Sequence, residues 1–449
     1  MSHWLKRIVV AVLVLEFAYL AIGNLALRLP LTQVLVNKVR PDKFEVSWDA
    51  AWTFYPFRVH VRGLAANGQS RRQQWQLELT AGSGSIALLP LLTKRVLLSD
   101  VRGEDVLYFQ RPRLRPDNDY ASTRAFFPPI GNRVLNAAEP RPSGKRPWRI
   151  SVSNASVRGT HDVWLYQVRA RLRGELRAGF RYRTRGGPFA LGDGWADLTI
   201  DDVGINGDHA ALGDIRVKGR VALAEFVPRE TRGIRVLPHL TLDADVSGKV
   251  GSLAFLNPYL RQMEGMELAG RGRVAGRLNI DRGTLRAGTR LDVAAAALTL
   301  DLLAHRASGS GTVRLAVGPD NPDELRIVVE FSDLTARRRD DPRPLLVGAG
   351  LIVEARGETR LSPDDALASG ASYLSVGVPT VRVPDVAVFQ HYIPDHVGLR
   401  LHSGEGLLHG RVTVDTERLE IELGLTAGDT DLGIEDYRFQ SDIDLALLA

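Results

Sequence analysis

Apolar and charged residues alternate along the segment from residue 168 to residue 183, with arginines at most odd positions. Such alternation is typical of a β-strand, which sends successive side chains to opposite faces of a sheet. Gly174 and Glu175 interrupt the arginines, so we expect a turn or bulge that divides the segment into two strands. The apolar positions that predict one shared face are Val168, Ala170, Leu172, Leu176, Ala178, Phe180 and Tyr182.

Alternating runs predict further strands on both sides of this segment. Short helical patterns interrupt them near residues 253–263 and after Ser362. We therefore predict a mostly β chain, an elongated and twisted antiparallel sheet that forms an open apolar groove, with a few short helices. Besides the residues above, the candidates for the groove are Leu77, Leu79, Leu240, Leu242, Ala244, Val246, Leu419, Ile421, Leu423 and Leu425.

The stretch from Ile8 to Leu27 predicts a transmembrane anchor, because its length matches the roughly 20 residues that cross a bilayer. Glu16 should cost about 3 kcal/mol near the bilayer centre, but the surrounding aliphatic residues return more than that. Lys6 and Arg7 favour a cytoplasmic N-terminus, and a cleaved signal peptide is the alternative. The anchor residues are Ile8, Val9, Val10, Val12, Leu13, Val14, Leu15, Phe17, Leu20 and Ile22.

Composition divides the chain into four predicted regions. The cytoplasmic tip and anchor occupy 1–28, an N-terminal β region 29–110, a proline-rich loop or linker 111–147, and a repetitive β region 148–449. Within the last region, residues of about 250–317 match residues of about 384–449 at an offset of 134, so we predict an internal duplication. The glycines that carry this match are Gly270, Gly272 and Gly276, against Gly404, Gly406 and Gly410.

Charge and cysteine content restrict the chemistry. The net charge of +6 comes with arginines that are interleaved through the strands rather than clustered, so we do not expect nucleic-acid binding. The chain has no cysteine, which excludes disulfides and thiol nucleophiles. The histidines between His391 and His409 match no common zinc spacing, and no catalytic constellation converges. We expect neither a metal, nor a cofactor, nor an enzyme.

The N-terminal third resembles the AsmA-like family of Gram-negative envelope proteins, which includes the larger TamB-like and YhdP-like members. The basic-flanked anchor, the run from Phe57 to Leu64 and the run from Ser85 to Val106, followed by 111–113, carry this resemblance. It implies a repeating β-groove with an apolar interior and a role in moving phospholipids between the inner and outer membranes. It carries no catalytic residues.

Two functions therefore compete. The first is a single-pass protein of the bacterial inner membrane with its bulk in the periplasm, which shields lipid acyl chains and contributes to phospholipid transport or lipid homeostasis. Its partners would be phospholipid, the inner membrane and an outer-membrane or periplasmic protein. The alternative is a non-transporting scaffold that assists outer-membrane protein assembly or envelope regulation through its sheet edges, with a filled interior.

Overall fold

The structure is a computed structural model, and strand accounts for 68% of it and helix for 16%, which confirms the prediction of a mostly β chain. Its residues form two compact units, unit 1 (Met1–His239) and unit 2 (Leu240–Ala449). The ranges that it describes are 3–39, 43–55, 57–70, 73–114, 123–131, 146–205, 208–209, 212–228, 230–231, 233–257, 266–360, 373–415, 418–434 and 437–448.

Unit 1 begins with two helices, α1 (His3–Arg28) and α2 (Pro30–Val39). Helix α1 is long and apolar enough to cross a membrane. Helix α2 has its polar residues on the protein side: the Gln33 amide donates to Trp48 O (2.8 Å), and Asn37 bonds both backbone polar atoms of Val46. Its leucines Leu31 and Leu35 are exposed instead. A surface helix of a soluble protein turns its apolar side toward the core and its polar side toward water, so α2 has the opposite arrangement.

The strands of unit 1 form one sheet. They are β1 (Phe44–Ser47), β2 (Ala50–Tyr55), β3 (Arg58–Gln69), β4 (Gln73–Ala87), β5 (Arg95–Glu104), β6 (Leu107–Pro112), β7 (Arg149–Leu165), β8 (Val168–Arg183), β9 (Phe189–Ile205), β10 (Asp208–His209) and β11 (Leu212–Phe226). Strand β3 pairs with β1, β2 and β4, and β4 pairs with β5 and β6. Both β5 and β6 pair with β7, which β8, β9 and β11 follow in turn.

The sheet is mixed rather than wholly antiparallel, because β5 and β6 both run parallel to β7. A parallel pair needs a long crossover, and the proline-rich segment between β6 and β7 supplies it. That segment, predicted as a loop or linker, lies within unit 1, and its residues 115–122 and 132–145 are outside the described ranges.

The prediction of two strands between residues 168 and 183 is wrong, because β8 is one continuous strand. Gly174 keeps the alternation in phase between Leu172 and Leu176, so no turn is needed. It has φ +133°, and a Cβ there would lie 2.1 Å from Asp197 O of the next strand. The glycine therefore permits a close approach of two backbones, not a break.

The strands of unit 2 also form one sheet. They are β12 (Leu240–Val250), β13 (Met266–Asp281), β14 (Thr284–Leu285), β15 (Arg290–Leu302), β16 (His305–Val317), β17 (Glu324–Arg338), β18 (Pro344–Gly348), β19 (Ile352–Glu358), β20 (Tyr373–Val383), β21 (Leu399–Asp415), β22 (Leu419–Ile434) and β23 (Tyr437–Leu448). The sheet continues from β12 through β13, β15, β16, β17, β19, β20, β21 and β22 to β23, with β14 and β18 as short additions.

The first strands of unit 2 curl until the sheet meets itself. Thr284 of β14 forms a bridge with Arg360, just after β19, and Leu285 N donates to Thr359 O (2.9 Å). This contact joins the two sides of the curl at one end, where Thr289 and Thr359 are buried. The face inside the curl is a packed core, and its largest fully buried side chains include Phe331, Leu298, Leu300, Leu334 and Val329.

Short 3-10 helices interrupt the strands. They cover Leu89–Thr93, Arg124–Phe126, Gly233–His239, Leu253–Leu256, Val386–Tyr392 and Asp395–Val397. The helix predicted near 253–263 is present over its first turn, and its residues 258–263 lie outside the described residues. The helix predicted from Ser362 lies outside them entirely.

The two segments of the predicted duplication have the same local structure. Strand β12 and strand β20 are each followed by a capped 3-10 helix, in which Ser252 accepts from Ala254 N and Asp385 accepts from Ala387 N. These positions differ by 133 residues, whereas Gly276 and Gly410 differ by 134. The extra residue falls at an irregularity of β21 between Leu401 and Glu405. Duplication of the sequence itself stays a prediction.

Candidate functional site

An apolar face extends over four adjacent strands of unit 1. Directly paired residues lie on the same face of a sheet, and the register pairs Leu176 of β8 with Val157 of β7 and Ala196 of β9. The predicted residues of β8 therefore have apolar neighbours on both sides. The further members of this face, which we call the unit 1 apolar face, are Ile150, Val152, Ala155, Val157 and Val163 on β7, Phe189, Leu191, Ala196, Leu198, Ile200 and Val203 on β9, and Ile215, Val217, Val221, Leu223 and Phe226 on β11.

Most of the unit 1 apolar face is only half-buried. Apart from Val168, which is exposed, the predicted β8 residues are all half-buried, and the buried members of the face are Val152, Ala196 and Ile215. With about 3.3 Å per residue, a 16-residue strand such as β8 is about 50 Å long. Along the strands, the face is therefore longer than an acyl chain in one bilayer leaflet, which extends about 15 Å.

Aromatic rings form a row at one end of this face. Phe180 stacks on Phe189 (6.0 Å between ring centroids), Phe189 meets Phe226 edge to face (5.6 Å), and Phe226 contacts His239 (5.4 Å). These rings come from the end of β8, the start of β9 and the end of β11, which the antiparallel register brings together. The row therefore makes one end of the face broad and aromatic.

The opposite face of the same strands carries ion pairs. Arg173 binds Asp201 (2.6 Å) and Arg216 binds Asp197 (2.8 Å), each across a strand boundary. The Arg216 guanidinium holds the pKa of the Asp197 carboxyl below its ordinary value. Exposed pairs of this kind contribute about 0–1 kcal/mol each, so they set register more than stability. The charges of these two arginines are therefore neutralised by carboxylates of the protein.

The other predicted groove residues lie in different surroundings. Leu77 and Leu79 of β4 are half-buried in unit 1. In unit 2, Leu240 and Leu242 are half-buried, but Ala244, Val246 and Leu425 are buried in the core. Ile421 and Leu423 are half-buried and Leu419 is exposed. The structure thus brings the β8 residues into one continuous surface, whereas the candidates of β12 and β22 belong to a separate unit.

The core of unit 2 opens at its last strand. Leu374 and Val378 of β20 are buried, as are Leu425, Ala427 and Leu432 of β22, whereas nearly all of β23 is exposed. Tyr437, Phe439, Leu445 and Leu447 share one face of β23. Within the described residues, β23 pairs with β22 alone, so its other edge is open.

Helix α1 is docked on the sheet of unit 1. The Asn24 side chain donates to Thr53 O and accepts from Thr53 N, both at 2.9 Å, so it binds β2 as a neighbouring strand would. A Cβ on Gly23 would lie 3.3 Å from the Thr53 side chain. Tyr19 Oη accepts from Phe57 N (3.1 Å) and lies 3.2 Å from the Thr53 hydroxyl.

This docking explains one face of α1. Its half-buried residues, which are Glu16, Tyr19, Leu20, Gly23, Asn24 and Leu27, recur with helical spacing, and the predicted anchor residues are mostly exposed on the other sides. Glu16 lies one turn from Tyr19 on the face that meets β2. Sequence reasoning did not identify this contact, although Asn24 within an apolar stretch was a visible signal.

The described residues contain no group of three or more side chains that could hold a metal ion. The apolar surfaces on β7, β9 and β11 were missed as site residues because their alternation is broken by bulges, as between Val221 and Leu223. The resemblance to the AsmA-like family stays a prediction. No protein-family model, curated protein or solved structure matches the chain.

Proposed function

We propose that this chain is a membrane-anchored protein that holds lipid acyl chains on the unit 1 apolar face, and that it contributes to phospholipid transport between the inner and outer membranes or to envelope lipid homeostasis. One observation carries the proposal. A four-strand apolar face stays half-exposed on a sheet to which a helix of membrane-spanning length is docked through Asn24 and Tyr19.

A lipid is well suited to cover the unit 1 apolar face. Each CH₂ that leaves water contributes about 0.8 kcal/mol, so an acyl chain laid on this face is stabilised without any hydrogen bond. A contiguous apolar patch of more than a few hundred Å² on the surface of a soluble protein usually marks a binding site. Several charges of the other face, such as those of Arg173 and Arg216, are paired with carboxylates of the neighbouring strand, whereas the apolar face stays half-exposed.

The topology of the proposal follows the charges beside α1. Lys6 and Arg7 precede the apolar stretch, so the N-terminus would be cytoplasmic by the positive-inside rule. Both sheets would then lie on the periplasmic side of the bacterial inner membrane. The exposed leucines of α2 fit the interface of that membrane, where an amphipathic helix lies with its apolar side in the acyl boundary.

Site-specific photocrosslinking in cell membranes tests the proposal. A benzophenone amino acid replaces Leu176 on the apolar face, Arg173 on the charged face of the same strand, or Val329 in the unit 2 core. We expect lipid adducts, detected by mass spectrometry of the purified full chain, at Leu176 alone. An absence of adducts at Leu176, or equal adducts at Arg173, would reject lipid binding on this face.

The scaffold function has its own supporting observation, which is the filled core of unit 2 next to the exposed strand β23. An open strand edge can accept a strand of another protein, with backbone hydrogen bonds for affinity and side-chain pockets for specificity. The same photocrosslinker at Ile443 tests this function. A single defined protein adduct there, without lipid at Leu176, would favour the scaffold over the lipid-binding protein.

A further inference from the structure

Exposed apolar side chains gather at one end of the unit 1 sheet. We call them the apolar rim, and its members are Phe54, Tyr55, Phe57, Leu88, Leu89, Leu92 and Trp148. The opposite end of the same strands exposes only Leu165 and Val168 among the large apolar side chains of the described residues. A sheet end that faces water is not expected to expose so many large apolar side chains.

Backbone hydrogen bonds place the rim residues together. Ile86 N, close to the end of β4, donates to Phe57 O (3.0 Å), and Leu88 and Leu89 follow two and three residues later. Arg149 N, next to Trp148, donates to Lys94 O (3.0 Å), which ends the 3-10 helix Leu89–Thr93. The β2–β3 turn, this helix and the start of β7 therefore share one end of the sheet.

The rim leucines do not contribute to the core. The helix Leu89–Thr93 has no buried residue, and Leu89 and Leu92 are 81% and 84% exposed. Lys94 then adopts a left-handed conformation with φ +59°, and its N–H bonds to Leu91 O and Pro90 O, which fixes the direction of the turn. A non-glycine residue in that region is uncommon, so the loop holds its leucines outward at some conformational cost.

The rim lies beside the apolar part of α1 rather than at its end. Phe57 N bonds to Tyr19 Oη (3.1 Å). A hydrocarbon core of about 30 Å takes up about 20 residues of helix, so a span that begins between Leu5 and Ile8 ends between Asn24 and Leu27. Tyr19 then lies about 8 to 12 Å below that end, which overlaps the roughly 5 to 10 Å to which amphipathic segments are buried in a bilayer.

Basic residues border the rim. Arg58 follows Phe57, Lys94 and Arg95 follow the helix with Leu89 and Leu92, and Arg149 follows Trp148. Basic side chains near a membrane surface attract anionic headgroups by about 1 kcal/mol each. Apolar tips followed at once by basic residues are the pattern of a segment that enters the acyl region and stops at the headgroups.

We propose that the apolar rim inserts into the leaflet in which α1 ends, so that this end of the sheet is seated in the bilayer. The aromatic row of Phe180, Phe189 and Phe226 lies at the same end, because Arg183 pairs with Arg149 in the register of β8 and β7. A lipid could therefore pass from the leaflet to the unit 1 apolar face without crossing water. This inference rests on the proposed membrane anchor and deepens the proposed function.

Single cysteines test the inference, since the chain has none of its own. Leu92→Cys in the rim, Leu13→Cys in α1 and Leu165→Cys at the opposite end are each labelled with an environment-sensitive NBD dye. The full chain is reconstituted in phosphatidylcholine and phosphatidylglycerol vesicles with doxyl-labelled lipid. We expect at least twofold quenching by doxyl at positions 92 and 13, and none at position 165.

The outcomes separate the inference from the proposed function. Quenching at position 13 without quenching at position 92 would overturn the inference and leave the anchor intact. A dye at position 92 that is protected from iodide but not quenched by doxyl would show a protein on the rim, a second copy or a partner, and would overturn it too. Absence of quenching at position 13 would reject the membrane anchor itself, and with it the inference.

A second variant reports on function. Leu89 and Leu92 contribute nothing to the core, so the double variant Leu89→Gln/Leu92→Gln should keep its circular dichroism spectrum. We expect it to lower the lipid adduct at Leu176 at least threefold, because lipid entry from the leaflet would be interrupted. An unchanged adduct yield in a folded double variant would contradict a role of the rim in lipid entry.

Discussion

The unit 1 apolar face and the core of unit 2 are built from the same alternating sequence pattern, but they differ in what covers them. In unit 2 the strands from β13 to β19 curl until Thr284 meets Arg360, and large side chains such as Phe331 become fully buried. In unit 1 the comparable residues Phe180 and Leu176 stay half-buried. Alternation therefore specifies which side chains share a face of a strand, whereas closure of the sheet decides whether that face becomes core or stays at the surface.

The extent of burial follows this difference. The residues that are fully buried inside the curl are mostly leucine, valine and phenylalanine, whereas the buried members of the unit 1 apolar face are Val152, Ala196 and Ile215. A closed interior must be filled to native density, because a void loses dispersion contacts on every side. A face that the sheet leaves half-exposed has no such requirement.

Truncation of one phenylalanine in each unit should have the largest effect. Phe331→Ala removes a fully buried ring and should destabilise unit 2 by about 3–5 kcal/mol. Phe180→Ala should destabilise unit 1 by less than half of that, because the ring is already in partial contact with solvent or ligand. Denaturant titration with hydrogen exchange resolved on peptides from each unit measures both. Equal losses would mean that the two faces are equally filled.

Glycine substitutions test the close strand contacts in the two segments of the predicted duplication. A Cβ on Gly276 would lie 1.9 Å from Arg290 O, and one on Gly410 would lie 2.0 Å from Glu422 O. Gly276→Ala and Gly410→Ala should each destabilise unit 2 by about 1–3 kcal/mol, since the strands must separate. Gly192→Ala in β9 is the control, because its Cβ meets nothing closer than 3.6 Å. Unfolding midpoints in urea report the three values, and an effect of Gly192→Ala as large as the others would contradict the steric argument.

Removal of the helix contact should affect unit 1 alone. Asn24→Ala deletes two hydrogen bonds to Thr53, each with a net contribution of about 0.5–1.5 kcal/mol. We expect faster amide exchange in β2 of the full chain in detergent, with no change in unit 2. Leu25→Ala, one position along the helix and exposed, is the matched control. Equal exchange in both variants would mean that α1 is not held by Asn24.

The sequence allowed prediction of the strands and of their faces, because period-2 alternation is a local signal. It located the apolar stretch of α1 for the same reason. It did not predict that β7 is parallel to β5, since that depends on where the proline-rich crossover returns. It also placed a break at Gly174, where the glycine serves a close approach to Asp197 instead. Long-range contacts of this kind leave little trace in one sequence.

The candidate site was predicted in part. All seven residues chosen on β8 lie on one face, but nothing in the alternation of Ala244 and Val246 distinguished a filled core from an open one. That distinction depends on the contact of β14 with Arg360, 76 positions after its partner Thr284. The rim leucines were visible in the sequence, but their outward direction depends on the left-handed turn at Lys94.

The smallest predicted effect concerns pH and compares one histidine in each unit. In unit 2, His305 Nε2 hydrogen-bonds to Tyr392 Oη (2.6 Å), at the end of the 3-10 helix that buries Val386 and Val388. Burial and the nearby Arg338 lower the pKa of His305, although Asp340 opposes this. In unit 1, burial and then Arg58 and Arg102 lower the pKa of His60, which stacks on Trp52.

A histidine whose pKa is lower in the folded state binds protons more readily when unfolded, so stability is complete above about pH 6.5 and falls as the pH drops toward the folded pKa. We expect faster amide exchange in 386–392 at pH 5 than at pH 7, after correction for intrinsic rates. His305→Phe keeps the ring beside Tyr392 and should remove the pH dependence there, while His60→Phe should leave it unchanged. A pH response of 386–392 that survives His305→Phe would assign the effect to another group of unit 2, such as Asp340.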